Sequence, residues 1–209
     1  MRKALVVILG AALVGGMAGP ASANKPFRST SATAEAFWHY RLDLSPTTYE
    51  ATTWYVGVFQ SSDGGTFSDL YVDVESCQTG PNGDTCVEES EKFGFTDLTG
   101  PGDAFTIDVA SLSSAHLDAT YQLQAYDENG DPVGSPETHV IAADWAGQEL
   151  LSRMRFKSSF HSRCIHFTTT TKGIGRLAQA TGTRNGEDLG ATEDAFMSGD
   201  SSFSIEHTC

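Results

Sequence analysis

Leu117-Asp118-Ala119-Thr120-Tyr121-Gln122-Leu123-Gln124 places an apolar residue at every second position. Side chains of a strand alternate between faces, so a period of two describes a half-buried strand and not a helix. The same period recurs along the chain. Ala34, Ala36, Trp38, Tyr40 and Leu42 share one face, with Glu35, His39 and Arg41 on the other. Thr52, Trp54, Val56 and Val58 follow, then Leu70, Val72 and Val74, then Phe105, Ile107 and Val109. His139, Ile141, Ala143 and Trp145 form another run, as do Cys164, His166, Thr168 and Thr170. Arg176–Thr183 and Ser201–Thr208 read as the closing strands.

Turn chemistry sits between these runs. Asn82-Gly83, Asn129-Gly130 and Asn185-Gly186 suit two-residue hairpins, because both residues tolerate positive φ. Ser62-Asp63-Gly64-Gly65 and Gly100-Pro101-Gly102-Asp103 punctuate the rest. The best helical stretch, Ala146–Met154, is one or two turns long. About nine short strands predict an all-β fold: a single antiparallel β-sandwich over 34–209, with a β-barrel as the alternative.

Residues 1–23 begin Met1-Arg2-Lys3, run apolar from Ala4 to Ala18 and close on Ala21-Ser22-Ala23. A basic start, a short apolar run and small residues at the end describe a cleaved signal peptide. The chain is therefore expected to be secreted. No later apolar run is long enough to span a membrane as a helix. Residues 24–33 are small and polar and read as a flexible tail.

The leader holds two basic residues and no acid, so its removal takes the formal charge from −14 to −16. Such a protein repels nucleic acid and anionic surfaces at long range. The charges are segregated. Asp43–Glu149 carries 20 acids and one base, Lys92. Leu151–Gly186 carries seven bases and no acid. This basic segment is expected to fold back and pair with the acidic part. The competing reading is a cationic face made of Arg153, Arg155, Lys157, Arg163 and Arg176, binding an anionic polymer of the cell envelope.

Four cysteines in an exported chain read as two disulfides. Cys77–Cys86 flanks a turn-rich stretch, and Cys164–Cys209 would tie down the C-terminus. No metal site is assigned. His161, Cys164 and His166 could offer two imidazoles and a thiolate, but the thiol is expected to be oxidised. Asp127–Asp131 resembles the start of a calcium loop, yet Pro132 and Thr138 break the pattern. No G-x-S-x-G elbow, HExxH motif or phosphate-cradling loop occurs, so no catalytic residue or cofactor is assigned. Tyr55 and Tyr71 lie off the apolar faces of their runs and are candidates for exposed contacts with sugars.

Trp145-Ala146-Gly147, Ser152-Arg153, His161, Cys164, Arg176, Ala178 and Ala180-Thr181-Gly182-Thr183 together resemble uncharacterised secreted β-rich proteins of high-GC Gram-positive bacteria. The resemblance implies an exported β-rich protein and supplies no catalytic residue. The reading is a secreted, non-catalytic β-protein that acts by binding or surface interaction. The alternative is a secreted polysaccharide hydrolase whose carboxylates the sequence does not single out.

Overall fold

The structure, a computed structural model, describes residues 26–99, 102–127, 131–161 and 165–208. The leader, Arg163, Cys164, Cys209 and the Asn129-Gly130 turn lie outside the described residues. The fold is all-β and antiparallel, as the alternation predicts. Among the described residues, nine strands form one sheet: β1 (Phe27–Asp43), β2 (Thr48–Ser61), β3 (Gly65–Gly80), β4 (Gly83–Asp97), β5 (Ala104–Ile107), β6 (Ser114–Tyr126), β7 (Pro132–His161), β8 (Ile165–Arg184) and β9 (Glu187–Thr208).

The strand order is β4-β3-β2-β1-β9-β8-β7-β6-β5. A short ladder joins Lys92 and Phe93 of β4 to Ala125 and Gln124 of β6, so the row of strands closes on itself. β5 continues along the same edge of β6, from Ala115 to Asp118. The inward positions of opposing walls then share one core. Trp38, Val56, Leu70, Leu117, Tyr121, Ile141, Trp145 and Met197 are all buried in it.

Two hairpin turns behave as their residues dictate. Asn185 and Gly186 both have positive φ, 52° and 84°, between paired Arg184 and Glu187. Gly65 (φ 81°) closes the Ser62–Gly65 turn. The Cys77–Cys86 disulfide joins directly opposed residues of β3 and β4.

Three expectations are corrected. The segment expected as a flexible tail is strand from Phe27 onward, because Phe27–Ala36 pairs with β9. Ala146–Met154 is strand with bulges near Leu150, not helix, because its backbone pairs with β8. Where the runs from Cys164 to Thr170 and from Arg176 to Thr183 predict two strands, Ile165–Arg184 is one strand, β8. The ninth strand is β4, whose mostly polar and charged residues hid it.

β7, β8 and β9 outrun their neighbours. Beyond the last β6 pairing at Ala146, they continue as an arm to His161, Ile165 and Thr208. The Asp108–Ser113 loop caps the core at the root of this arm, with Leu112 fully buried. Arg176 pins the cap: its Nε donates to the Ser111 carbonyl at 2.8 Å and Nη1 to the Gln148 carbonyl at 2.6 Å.

Candidate functional site

Register decides which arm residues share a face. Arg155 stands opposite Lys172, Lys172 opposite Ser201, and Ser201 opposite Thr30. One row nearer the core, Arg153 stands opposite Ile174 and Gly199. One row further out, Lys157, Thr170, Phe203 and Arg28 align. Directly paired residues and their second neighbours project to one side. Arg28, Arg153, Arg155, Lys157 and Lys172 therefore lie on a single face, which continues the inner face of the closed sheet. The other face carries exposed Met154, Phe156 and Phe160.

The cationic face is concave. One hollow of about 530 Å³ is lined by Arg28, Thr30, Arg155, Lys172 and Phe203. A second, of about 380 Å³, is lined by Ala110, Arg153, Arg155, Lys172 and Gly199. They share Arg155, Lys172 and Ser201, so they form one trough from the cap loop outward. The small residues Gly199, Ser201 and Thr30 open its floor. Arg28 is held with its guanidinium over the Phe203 ring, 5.4 Å from the centroid.

Among the described residues, no ion pair joins any of these five cations to a carboxylate. Among the described residues, no base of the segment forms an ion pair with an acid of Asp43–Glu149; Arg184 instead meets Glu187, across its own hairpin, at 2.9 Å. Arg153, Arg155, Lys157 and Lys172 lie on the arm, beyond the last pairing with β6. Arg155 and Lys172 are like charges at directly opposed positions, an arrangement that destabilises an antiparallel pair. An anion between them reverses the sign of that interaction.

Of the residues expected on a cationic face, Arg153, Arg155 and Lys157 are brought together. Arg176 is spent on the cap loop, and Arg163 lies outside the described residues. Arg28 and Lys172 complete the face. Arg28 was hidden by the tail reading, although it keeps the alternate register of Thr30, Ala32 and Ala34.

Other candidates resolve differently. Tyr55 and Tyr71 are half-buried on the outer wall, and the Tyr55 ring packs on Phe37 at 4.7 Å. Glu35, Gly57 and Asp69 stand in one row across β1, β2 and β3. Burial raises both carboxyls, Asp69 to about 6, and the Asp69 charge adds to the effect on Glu35. Neither carboxyl lines the troughs described above. Glu75, Cys77 and Cys86 lie close together, but both sulfurs are committed to the disulfide. His161 stands opposite His166, and His166 opposite His207, at the tip of the arm.

Among the described residues, no helix is long and apolar enough to cross a membrane. Compared with protein-family models, curated proteins and solved structures, the chain matches none. The class defined by fold and site is thus a closed antiparallel β-protein with a disulfide and a cationic trough.

Proposed function

We propose that this is an exported, non-catalytic binding protein that holds an anionic polymer of the cell envelope in the trough of its arm. The observation that carries the reading is the set of Arg28, Arg153, Arg155, Lys157 and Lys172 on one concave face without acidic partners. Two of them, Arg155 and Lys172, oppose each other directly. Arginine forks suit carboxylate or phosphate oxygens, and lysine adds a point charge. The acidic remainder of the protein keeps such a polymer on the arm and off the body. The disulfide and the leader both fit an oxidising compartment outside the cell. The resemblance to secreted β-rich proteins points the same way.

Co-sedimentation with purified cell wall tests the reading. Pelleting is expected to fall steeply as salt rises, since exposed charges are screened. A variant carrying Arg153→Gln, Arg155→Gln and Lys172→Gln is expected to stay in the supernatant. Equal pelleting of variant and parent, or pelleting that ignores salt, overturns it.

Glu35 and Asp69 support the second reading, a polysaccharide hydrolase. A raised carboxyl paired with another carboxylate is the arrangement general-acid cleavage of a glycosidic bond requires. Release of reducing ends from wall or plant polysaccharides, lost in Glu35→Gln, would establish it; absence of release removes it.

A further inference from the structure

The end of the closed sheet remote from the cap holds a second cavity, of about 500 Å³. Every strand of the ring contributes an inward position to it. Its floor is apolar, made by Trp54, Val72 and Leu123, which are buried members of the core. Its walls are charged: Lys92 on β4, Glu137 and His139 on β7, Arg184 on β8, and Glu187 and Asp188 on β9. An eight-stranded closed sheet either fills its interior with side chains or holds one small ligand there. Cavities of this size at such a mouth are where small molecules bind.

The polar atoms of the mouth are not balanced. Glu137 accepts from Lys92 Nζ at 2.6 Å and lies 3.4 Å from His139 Nε2. Glu187 accepts from Arg184 Nη2 at 2.9 Å, and Asp188 accepts from the Gly190 N–H at 2.7 Å. Each of these acids therefore has a donor. Two nitrogens do not have a partner: Arg184 Nε and His139 Nδ1 are buried with none. Arg184 is fixed there, with its guanidinium 4.7 Å from the centroid of the Trp54 ring. The His139 ring packs on Trp54 as well, at 5.5 Å. An unpartnered buried donor of a charged group is costly, and a guanidinium edge is shaped for a carboxylate.

We infer that this mouth binds a small apolar carboxylate. The hydrocarbon body lies against Trp54, Val72 and Leu123. The carboxylate is drawn to the Arg184 guanidinium, whose Nε has no partner. A neutral alcohol of the same length fills the floor but brings no anionic acceptor to Arg184 Nε. A short carboxylate satisfies the edge but leaves the floor wet. The site stands apart from the trough, at the other end of the strands, and does not depend on the polymer reading.

Calorimetric titration of the full secreted chain with octanoate tests it, with octan-1-ol and acetate as controls. One octanoate per chain is expected, with each control at least about tenfold weaker, the worth of one charged hydrogen bond or more. Arg184→Gln is expected to weaken octanoate by about tenfold. Thr52→Trp, which fills the cavity from β2 without altering Arg184, is expected to abolish binding. The triple variant of the trough is expected to bind octanoate as the parent does. No heat at millimolar octanoate overturns the inference. So does octanol binding as tightly as octanoate, or octanoate binding that survives Thr52→Trp.

Discussion

Replacing Asp69 by asparagine separates the shape of a buried carboxyl from its charge. Asp69 stands on the outer wall of β3, opposite Gly57, with Glu35 beyond it in the same row. Burial lifts its carboxyl from an ordinary 3.8 to about 6. That displacement corresponds to about 3 kcal/mol against the ionised form. The part of the group that water still reaches reduces this to about 2 kcal/mol. In the unfolded chain the carboxyl loses its proton near 3.8, and in the folded chain only near 6. Between these values the folded state binds more protons, so stability falls as pH rises through the window. Above it the full cost of the ionised group is present; below the unfolded value it is absent. Asparagine keeps the shape and never ionises. Asp69→Asn is therefore expected to be more stable than the parent by about 2 kcal/mol at pH 8, and by no more than about 0.5 kcal/mol at pH 4. Urea melts at both pH values measure this. With a slope of about 2 kcal/mol per molar urea, the midpoint at pH 8 moves up by about 1 M. A difference that does not change with pH, or a less stable variant at pH 8, refutes the reasoning.

Further outcomes follow from other parts of the fold. Serine at both Cys77 and Cys86 is expected to cost about 3 kcal/mol, because the short loop regains its unfolded freedom; denaturant melts check this. Arg176→Met removes the bond to the Ser111 carbonyl of the cap loop and the bond to the Gln148 carbonyl of β7, at about 2 kcal/mol or more, and speeds amide hydrogen exchange at Gly147, whose N–H bonds the Ser113 carbonyl. Gly147→Ala drives a methyl into the carbonyl of Leu112 at the root of the arm. It is expected to destabilise by about 1–3 kcal/mol, read as a lowered melting temperature.

Legibility differed along the chain for physical reasons. Strands with one wet face advertise themselves by period two, and β1, β2, β3 and β6 were plain. Strand β4 was not, because Gly83–Asp97 is mostly exposed and owes its place to backbone pairing with β3. Ala146–Met154 offered Leu150, Leu151 and Met154 at helical spacing, yet bulges let the same residues remain in a long strand. Two signals for the mouth were already in the alternation. His139 shares the apolar register of Ile141, Ala143 and Trp145, and Lys92 is the lone base in the acidic part. Nothing in either residue's neighbours along the chain says that they meet.

The sequence alone determined the all-β class, the Cys77–Cys86 staple, the Asn185-Gly186 turn and the separation of acidic from basic segments. These are local properties, set by alternation, by side chains that tolerate positive φ and by short loops. Tertiary structure decided whether the basic segment pairs internally or stands free, and it set Arg28 beside Phe203 and Arg184 over Trp54. Such meetings depend on register between strands far apart in the chain. A slip of one residue would turn each of those side chains to the opposite face.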